Sequence, residues 1–498
     1  MSAPGLPSVG PFANPPGGFA PAPRPATRRN VELMLLAGAA ALTVTGLVLV
    51  EAGQSQEVTW DPALLGLGFA GLWGVAHLAV RRFAPFTDPL LLPIVAALDG
   101  LGLVLIHRLD LEQAEAAALG SGPAPVADAP HQLAWTAAAV ALFLVVLVVV
   151  RDYRSLASRG WILGVLGLLA LALPALLPAR FAEVDGARLW LHVPGFSMQP
   201  GVFALLALVV CAASVLVSRR ELFTAAGRHL FGLELPRIRD LWTLLLVGLV
   251  AFGVLIFERD LGAAALVFVL ALAMLYTATE RTGWLAVGGV LLVGELVAGY
   301  QLSESIRAAV AAWLHPFTEP GGYPVVQSLF GLATGGAGGT GLGSGRPSQV
   351  PLAKTSFIVA GLGEELGLIG LTAVLLLFTV LAVRGLRTAM AVRDSFGKLL
   401  AAGLSITLAL QVFLVVGGVT RILPRTGLPT PFLSYGGSAL LADLALVALL
   451  ARISDAARAP APVRKRETAG DATSELPRHT TTEVLRPTDS ANLKGVGA

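Results

Sequence analysis

Residues 131–150 read HQLAWTAAAVALFLVVLVVV, a run of twenty positions that contains no Asp, Glu, Lys or Arg. A helix of about 20 apolar residues is long enough to cross the roughly 30 Å hydrocarbon core of a bilayer. Eleven further runs of similar character accompany it. The approximate spans of the whole set are 33–51, 63–80, 89–106, 131–150, 160–178, 201–218, 240–257, 261–278, 283–300, 355–383, 399–420 and 435–453. The sequence therefore predicts an all-α polytopic membrane protein with about 12 transmembrane helices.

The composition agrees with membrane spans and excludes a soluble globular protein. Of the 498 residues, 55% are hydrophobic and 13% are charged, and the mean hydropathy is +0.75. An ordinary soluble domain carries roughly 25% charged residues. The single cysteine, Cys211, lies within an apolar run, which excludes an internal disulfide and a cysteine-based metal site and predicts a small core side chain.

The positions of the basic residues predict the orientation of the chain. If the N-terminus is cytoplasmic, 26 of the 35 Lys and Arg residues lie in cytoplasmic segments and nine lie on the outer side. Eight of the 26 belong to the long C-terminal tail, yet 18 against nine still follows the positive-inside rule. One helix more or fewer would destroy this bias. We therefore expect both termini to be cytoplasmic.

The segments outside the spans differ in kind. Residues 1–30 and 455–498 are predicted to be a disordered cytoplasmic arm and a disordered cytoplasmic tail, because they are polar or rich in Pro and Gly. The long outer loop 301–354 contains clustered glycines and no continuous helical period, so packing must order it. We expect the chemistry of the protein on the side of this loop.

Charged side chains close to hydrocarbon are costly, so they tend to be paired or functional. Arg259 and Asp260 fit a structural ion pair at a helix corner better than a catalytic pair. For Glu364 and Glu365, attraction to a helix N-terminus explains the residues as well as a functional role does.

Three acids fall deeper within the predicted spans: Asp99, Glu295 and Asp443. An intramembrane acid is a candidate for a proton or ion pathway. These three form no repeated pattern, and the sequence has no inverted repeat or matching pair of broken helices of the transporter kind. A transporter is therefore not supported by the residues alone.

Residues 313–343, WLHPFTEPGGYPVVQSLFGLATGGAGGTGLG, present one carboxylate, Glu319, beside glycines that let backbone N–H groups approach a ligand. A carboxylate near cations could act as a general base on a hydroxyl acceptor while the cations hold an anionic leaving group. Spacing alone favours a solvated loop acid over this catalytic role.

Six motifs resemble the SEDS family (shape, elongation, division and sporulation) of RodA/FtsW/SpoVE type, and they look closest to its actinobacterial members. They are GARLWLHVPGFSMQPG at 186–201, IFERDLGAAALVF at 256–268, MLYTATERTGW at 274–284, HPFTEPGGYPVVQSL at 315–329, GEELGLIG at 363–370 and LPTPFLSYGGSALL at 428–441. The resemblance implies a SEDS-type helical bundle in which 88–454 is the ten-helix core and 31–87 adds two N-terminal helices.

The resemblance implies a peptidoglycan glycosyltransferase of the bacterial plasma membrane. Such an enzyme polymerises lipid II, an undecaprenyl-pyrophosphate-linked precursor, during cell elongation or division together with a class B penicillin-binding protein. It implies Glu319 as the general base, and Arg307 and Lys354 as the groups that stabilise the departing pyrophosphate. It places further residues at the substrate, namely Arg188, Trp190, Tyr323 and Gln327, or in structural motifs, namely Arg259, Asp260, Glu364, Glu365, Ser434, Tyr435, Gly436 and Gly437. A divalent cation, Mg²⁺ or Mn²⁺, is left open as the cofactor, no protein metal ligands are assigned, and no nucleic acid partner is expected.

The chain also departs from the family pattern, and the departures keep two other hypotheses open. Glu319 stands where the family has aspartate, Val202 and Leu205 replace an acid and a lysine, Pro324 replaces a glutamine, and Ser356 replaces an acid. One hypothesis is a catalytically weak scaffold of the cell-wall machinery. The other is a flippase or transporter of lipid II that uses the acids within the spans.

Overall fold

The computed structural model describes residues 27–54, 60–120, 126–184, 187–193, 196–219, 228–230, 233–235, 253, 260–302 and 304–460. Within these ranges, numbered in chain order, the helices are α1 (Arg29–Gln54), α2 (Asp61–Phe83), α3 (Leu91–Leu119), α4 (Asp128–Val149), α5 (Ser155–Leu176), α6 (Ala179–Ala182), α7 (Pro200–Ser218), α8 (Leu261–Thr279), α9 (Gly283–Leu302), α10 (Glu304–Leu314), α11 (Tyr323–Gly335), α12 (Ile358–Ala391), α13 (Ser395–Val419) and α14 (Gly437–Arg458). Short strands form three antiparallel hairpins: β1 (Glu183–Val184) with β2 (Ala187–Arg188), β3 (Leu191–Val193) with β4 (Phe196–Met198), and β5 (Arg228–Leu230) with β6 (Leu233–Leu235).

Ten of the described helices are long and apolar enough to cross a membrane, namely α1 to α5, α7, α8, α12, α13 and α14. Each coincides with a predicted span, which confirms the prediction of an all-α polytopic membrane protein. The predicted span 283–300 corresponds to α9, which runs over 20 residues from Gly283 to Leu302. The remaining predicted span, 240–257, lies outside the described residues apart from residue 253, and 1–26 and 461–498 of the predicted terminal segments also lie outside them.

The helix ends differ from the predicted spans where charged residues are paired. The apolar run predicted at 89–106 continues as helix α3 as far as Leu119. The extension contains Arg108 and Asp110, whose side chains are bound by residues of other elements. Hydropathy marks the part of a helix that lies in hydrocarbon, and it does not report a polar continuation that tertiary contacts stabilise.

Helices α5 and α7 pack closely because small residues face each other. A Cβ atom added to Gly160 would lie 2.3 Å from the Cβ atom of Ser214, and one added to Gly164 would lie 2.4 Å from Cys211 Sγ. Small residues spaced four apart allow two membrane helices to approach, since association in lipid depends on packing and not on expulsion of water. Cys211 is buried in this contact, as predicted for a small core side chain.

The two ends of the bundle carry different polar clusters. At one end, the guanidinium of Arg452 donates to the carbonyls of Phe83 and Leu147, and Asp88 accepts from Arg384 Nε at 2.6 Å and from Arg458 at 2.8 Å. We call this end the Arg452 face. The opposite end, at which α3 ends and α4 begins, carries Lys354, and we call it the Lys354 face.

A glycine-rich segment, residues 336–345, is ordered on the Lys354 face by pairing with a break in α12. The N–H groups of Thr340 and Gly341 donate to the carbonyls of Glu364 and Glu365, each at 3.0 Å. In return, the N–H of Leu368 donates to the carbonyl of Gly336 at 2.9 Å. This exchange confirms that packing orders the segment, because its backbone groups are satisfied by the neighbouring helix.

Gly367 makes this pairing possible. Its backbone has φ 67° and ψ −173°, which interrupts α12 and frees the peptide groups on either side. A Cβ atom at this position would lie 2.2 Å from the backbone nitrogen of Gly339. Only glycine combines a positive φ with such a close approach of two backbones.

Candidate functional site

Lys354 is at the centre of the polar cluster on its face. Its ammonium donates to Asp110 Oδ1 at 2.6 Å, to Asp128 Oδ2 at 2.7 Å and to Gln113 Oε1 at 2.9 Å. An ammonium has three N–H donors, so these three acceptors use all of them. The side chain is only 13% exposed, and the Asp110 carboxylate is 6% exposed. The cluster therefore joins the end of the long outer loop 301–354 to α3 and α4 through charge-assisted hydrogen bonds.

The motif at 428–441 supports Lys354 from the side of α14. The N–H of Tyr435 donates to the carbonyl of Lys354 at 2.7 Å, and Ser434 Oγ donates to the carbonyl of Thr355 at 2.6 Å. Burial, together with the carboxylates of Asp128 and Asp110, raises the pKa of Tyr435 to about 12. Its hydroxyl is therefore neutral at physiological pH and remains a hydrogen-bond donor.

The two glycines that follow let the start of α14 come close to α4. A Cβ atom at Gly437 would lie 2.1 Å from the indole ring of Trp135, while nothing lies within 4 Å of one at Gly436. Gly437 is thus required for packing, which agrees with the structural role that the resemblance implies. The structure gives no such reason for Gly436.

Glu364 and Glu365 bind the glycine-rich segment and α3. Glu364 Oε1 accepts from the N–H of Arg346 at 2.7 Å, and Glu365 Oε1 accepts from Arg108 Nε at 2.9 Å. Arg108 also donates to the carbonyl of Gly345 at 2.7 Å. Because α12 begins at Ile358, both acids lie beyond its first turn, and attraction to the helix N-terminus does not explain them. They hold the segment in place.

Glu319 lies on an exposed turn between α10 and α11. Its N–H donates to the carbonyl of His315 at 3.1 Å, and its own carbonyl accepts from Gly322 at 2.9 Å. Within the described residues, no hydrogen bond or ion pair engages its carboxylate. The carboxylate is thus accessible to a ligand from the aqueous side.

This turn is attached to the end of α13. Arg421 Nε donates to the carbonyl of Trp313 at 3.0 Å, and Trp313 Nε1 donates to the carbonyl of Arg421 at 3.1 Å. On α11, Ser328 Oγ donates to the carbonyl of Val419 at 2.9 Å. The Glu319 turn and Lys354 are therefore held by different elements.

The other predicted substrate residues are dispersed over the face. Arg307 is exposed on α10 and donates to the carbonyl of Gln301 at 2.9 Å. On α11, Tyr323 is exposed and Gln327 is half-buried. Among the described contacts, none joins Glu319 to Arg307 or Lys354. The structure brings Lys354 and Tyr435 together. It does not bring Glu319, Arg307 and Lys354 into contact with one another.

The first two hairpins, β1–β2 and β3–β4, lie between α6 and α7 in the chain. Trp190 follows β2, and its N–H donates to the carbonyl of Ala182 at 3.3 Å. Arg188 lies in β2, where only its backbone is described. Arg259 lies outside the described residues, so its predicted pairing with Asp260 stays a prediction.

An apolar cavity of about 70 Å³ lies among α5, α7, α8, α13 and α14, and Asp260 and Asp443 are among its few polar residues. Asp260 caps α8 by accepting from the N–H of Ala263 at 2.9 Å, and burial raises the pKa of its carboxyl group. Val202 and Leu205 also line the cavity. The replacement of the acid and the lysine of the family pattern therefore makes this wall apolar.

The sequence interpretation missed three members of the Lys354 cluster: Asp110, Asp128 and Gln113. The only signal in the sequence was one acid at each end of the outer connection 107–130. Asp110 follows one apolar run, and Asp128 precedes the next. Such a pattern is common at helix ends, and nothing in it identifies a lysine more than 200 positions away as the partner.

The described residues alone can be searched for a site that would hold the divalent cation left open above. In the portion of the chain that the structure describes, no group of three or more His, Cys, Asp and Glu side chains could hold a metal ion. The acids Asp110 and Asp128 are already bound to the Lys354 ammonium. We therefore derive no step through a metal.

Three of the five described non-glycine residues with positive φ lie on this face. Leu352, Arg421 and Phe432 have φ values of 60°, 61° and 62°. A left-handed conformation costs a residue with a side chain roughly 1–2 kcal/mol. Strain of this kind persists where the surroundings fix the backbone, and it is often found near functional sites.

The comparisons with known proteins agree with this architecture. The sequence profile of the FtsW/RodA/SpoVE family, described as cell cycle protein, matches residues 89–459. The peptidoglycan glycosyltransferase RodA of Mycobacterium tuberculosis (strain H37Rv) is 53% identical over 442 residues, which are 88% of this chain and 93% of that protein. The enzyme of the same name from Mycobacterium leprae is 51% identical over 445 residues, or 89% of this chain and 94% of that protein.

Solved structures show the same fold. A chain from a peptidoglycan synthase complex, described as coordinating polymerization and crosslinking, has a TM-score of 0.58 at 26% identity and covers 74% of this chain and 97% of its own. A crystal structure of a Thermus thermophilus RodA variant has a TM-score of 0.51 at 24% identity, with coverage of 74% and 97%, and supports the fold alone. From its sequence and its architecture, this chain belongs to the FtsW/RodA/SpoVE family of cell cycle proteins.

Proposed function

We propose that the chain is a peptidoglycan glycosyltransferase that polymerises lipid II. The observation that carries the proposal is the 53% identity to mycobacterial RodA over nearly the full length of both proteins. The geometry is compatible with it, because the Lys354 face combines an accessible carboxylate with cations. The Glu319 turn and the Lys354 cluster would border the region in which the two sugars meet.

The proposal includes an orientation, with both termini in the cytoplasm and the Lys354 face on the outer side. It is supported by the distribution of Lys and Arg along the chain, which follows the positive-inside rule. A substrate with a lipid tail and a polar disaccharide-peptide would then keep its tail beside the helices and its head at the Lys354 face.

In the reaction, the 4-hydroxyl of the acceptor sugar attacks the anomeric carbon of the donor sugar. A new glycosidic C–O bond forms, the bond from the anomeric carbon to the pyrophosphate oxygen breaks, and the lipid pyrophosphate leaves with the bonding electrons. Glu319 accepts the hydroxyl proton as general base, for which an accessible carboxylate is suited. Arg307, an exposed guanidinium, is the candidate that stabilises the pyrophosphate.

Lys354 is suited to a different part in the same site. All three of its donors are already used, so it would contact a phosphate only after giving up one acceptor. We assign it first to holding α3, α4 and the loop together, and to pyrophosphate contact only when the bound substrate displaces one of its carboxylates.

The test is polymerisation of labelled lipid II by the full chain in nanodiscs, with and without a class B penicillin-binding protein. That partner is proposed because the matched solved structure belongs to a synthase complex. Glu319→Ala is expected to lower the rate by about 10²-fold or more, as is usual for the loss of a general base. Glu304→Gln, an exposed acid of α10, is the matched control and is expected to retain the rate.

Equal polymer yield from Glu319→Ala and the unaltered protein would remove Glu319 from the mechanism.

The absence of a described partner for the Glu319 carboxylate also fits a second function, a scaffold that binds the synthase without catalysing transfer. A scaffold would capture the penicillin-binding protein but yield no polymer, even after Glu319→Asp.

A further inference from the structure

The last turn of α1 contacts the glycine-rich segment 336–345 on the Lys354 face. Gln54 Nε2, at the end of this helix, donates to the carbonyl of Gly343 at 3.1 Å. A Cβ atom added to Gly53 would lie only 3.3 Å from the carbonyl oxygen of Leu342. The end of α1 and the backbone of the segment are therefore in close contact, and one side-chain hydrogen bond joins them.

An apolar contact accompanies this hydrogen bond. Leu342 packs against a buried cluster formed by Leu47 and Val50 of α1 and Val104 of α3. Leu47 and Val50 have no exposed surface. Apolar burial of this kind favours the bound position of the segment over one in which it has moved away from α1. The segment is thus attached to α1 by a polar and an apolar interaction.

The other side of the segment is bound by α12. The N–H of Gly343 donates to Glu365 Oε1 at 3.3 Å, and the same carboxylate oxygen accepts from Arg108 Nε at 2.9 Å. Gly343 therefore has its N–H bound by α12 and its carbonyl bound by α1. The segment lies between the end of α1 and the break in α12, and both helices fix its backbone.

Helix α1 is itself attached to the rest of the bundle. At the Arg452 face, Arg29 donates to the carbonyl of Thr87, which lies before α3. Near the middle of α1, a Cβ atom added to Gly100 of α3 would overlap the hydroxyl oxygen of Thr43, at 1.9 Å. A helix held at one end and in its middle gives the segment at its other end a fixed support.

The glycine-rich segment connects the two parts of the proposed site. It follows α11, which begins at Tyr323 next to the Glu319 turn, and the chain then continues through Arg346 to Lys354. The Glu319 turn and Lys354 are held by different elements, so the placement of this connection bears on their separation. A support for the segment is therefore also a support for the geometry of the site.

We infer that Gln54 is a positioning residue for glycosyl transfer, which α1 exerts through the glycine-rich segment. This inference rests on the proposed function. The family profile matches residues 89–459 and begins after α1, so the assignment goes beyond the matched core. Gln54 acts through Gly343 and does not touch the substrate. Its loss should lower kcat more than it changes KM, because a small misplacement of reacting groups slows a positioned reaction.

The first test removes the hydrogen-bond donor. Gln54→Glu keeps the size of the side chain and turns an acceptor toward the carbonyl of Gly343. In polymerisation of labelled lipid II by the full chain in nanodiscs, we expect kcat to fall about fivefold and KM to change less than about twofold. The thermal midpoint should stay within about 2 °C, since one hydrogen bond contributes little to a bundle of this size.

Two further variants accompany this test. Gln54→Lys restores an N–H donor and should recover most of kcat. Asn30→Asp makes the same amide-to-acid change at an exposed residue of α1 near the Arg452 face, and it should retain kcat.

The second test separates α1 from the segment and leaves the donor in place. Gly53→Val adds a branched side chain where even a Cβ atom would lie 3.3 Å from the carbonyl oxygen of Leu342. We expect kcat to fall about fivefold or more. Gly38→Val is the matched control, because nothing lies within 4 Å of its added Cβ atom and it shares any general effect of valine in a helix.

Hydrogen exchange of the 336–345 amides in the same samples separates the failure of this inference from that of the proposed function. Unchanged kcat in Gln54→Glu and Gly53→Val would overturn the inference alone. A fall in kcat that Gln54→Lys does not restore, or that follows a lower thermal midpoint, would assign Gln54 to stability only and would also overturn it. Faster exchange in both variants, with no polymer from any form, would support the α1 contact and refute the glycosyltransferase.

Discussion

At the scale of single residues, Lys354 has more described partners than any of the other predicted substrate residues. It neutralises two carboxylates and binds one amide, and its carbonyl accepts from Tyr435. Removal of the ammonium would leave the Asp110 carboxylate buried without its cation. Such an unpaired buried charge is costly, while the pair itself contributes less than its Coulomb energy suggests.

Lys354→Ala is therefore expected to destabilise the protein by about 3 kcal/mol and to loosen the loop on α3 and α4. The measurement is thermal unfolding in detergent, with proteolysis of the 301–357 region as a local probe. Lys398→Ala is the control, because Lys398 is exposed at the start of α13. An unchanged midpoint for Lys354→Ala would show that the cluster does not hold the loop.

Gly367 supports a second prediction at this scale. Gly367→Ala places a Cβ atom 2.2 Å from the backbone of Gly339 at a positive φ, so the paired backbones must separate. We expect a loss of more than about 2 kcal/mol, since the conformation alone costs roughly 1–2 kcal/mol. Gly338→Ala is the matched control in the same segment, because nothing lies within 4 Å of its added Cβ atom. Equal unfolding midpoints for the two variants would contradict this role.

At the scale of elements, the start of α13 is fixed by Asp394. Its carboxylate caps the helix by accepting from the N–H of Gly397 at 2.7 Å, and it accepts from Tyr153 Oη and from Arg154 Nε at 3.2 Å. Burial alone would raise the pKa of Asp394, but these hydrogen bonds outweigh it and hold the pKa below its ordinary value. The cap thus ties α13 to the segment before α5.

A depressed pKa in the folded state means that the charged Asp394 stabilises the fold above the pKa of the unfolded chain. That stabilisation is lost as the pH falls through the lower folded value. Asp394→Asn keeps a capping oxygen and removes the charge. The thermal midpoint of this variant should therefore lie below that of the unaltered protein at pH 6, and the difference should shrink below about pH 4. Thermal midpoints across this range give the measurement. A deficit that grows on acidification would contradict the assignment.

The elements also show what the sequence can predict about the fold. Spans such as 131–150 and 201–218 were located closely because hydrocarbon burial requires long apolar helices. The break at Gly367 was not predicted, since a glycine inside an apolar run is ordinarily tolerated in a helix. Its conformation depends on pairing with residues 336–341, a contact that no local pattern reveals.

At the scale of the whole molecule, the Lys354 face is assembled from residues far apart in the chain. Asp110, Lys354 and Tyr435 meet because α3, the loop and α14 converge at one end of the bundle. The family resemblance identified Lys354 as a substrate residue and Tyr435 as a motif residue, but it did not identify their acidic partners. Hydropathy and charge predict which side a segment occupies, but not which of the side chains on that side touch.

The orientation of the bundle is the property on which the proposed function depends most. Ser348 is exposed on the Lys354 face, and Ser155 is exposed at the start of α5. Because α4 runs from the Lys354 face and ends at Val149, Ser155 belongs to the opposite end. Against a Cys211→Ala background, Ser348→Cys should react with a membrane-impermeant maleimide in intact cells, whereas Ser155→Cys should react only after permeabilisation. The reverse pattern would place Glu319 and the Lys354 cluster in the cytoplasm, where a polymer destined for the cell wall cannot be released.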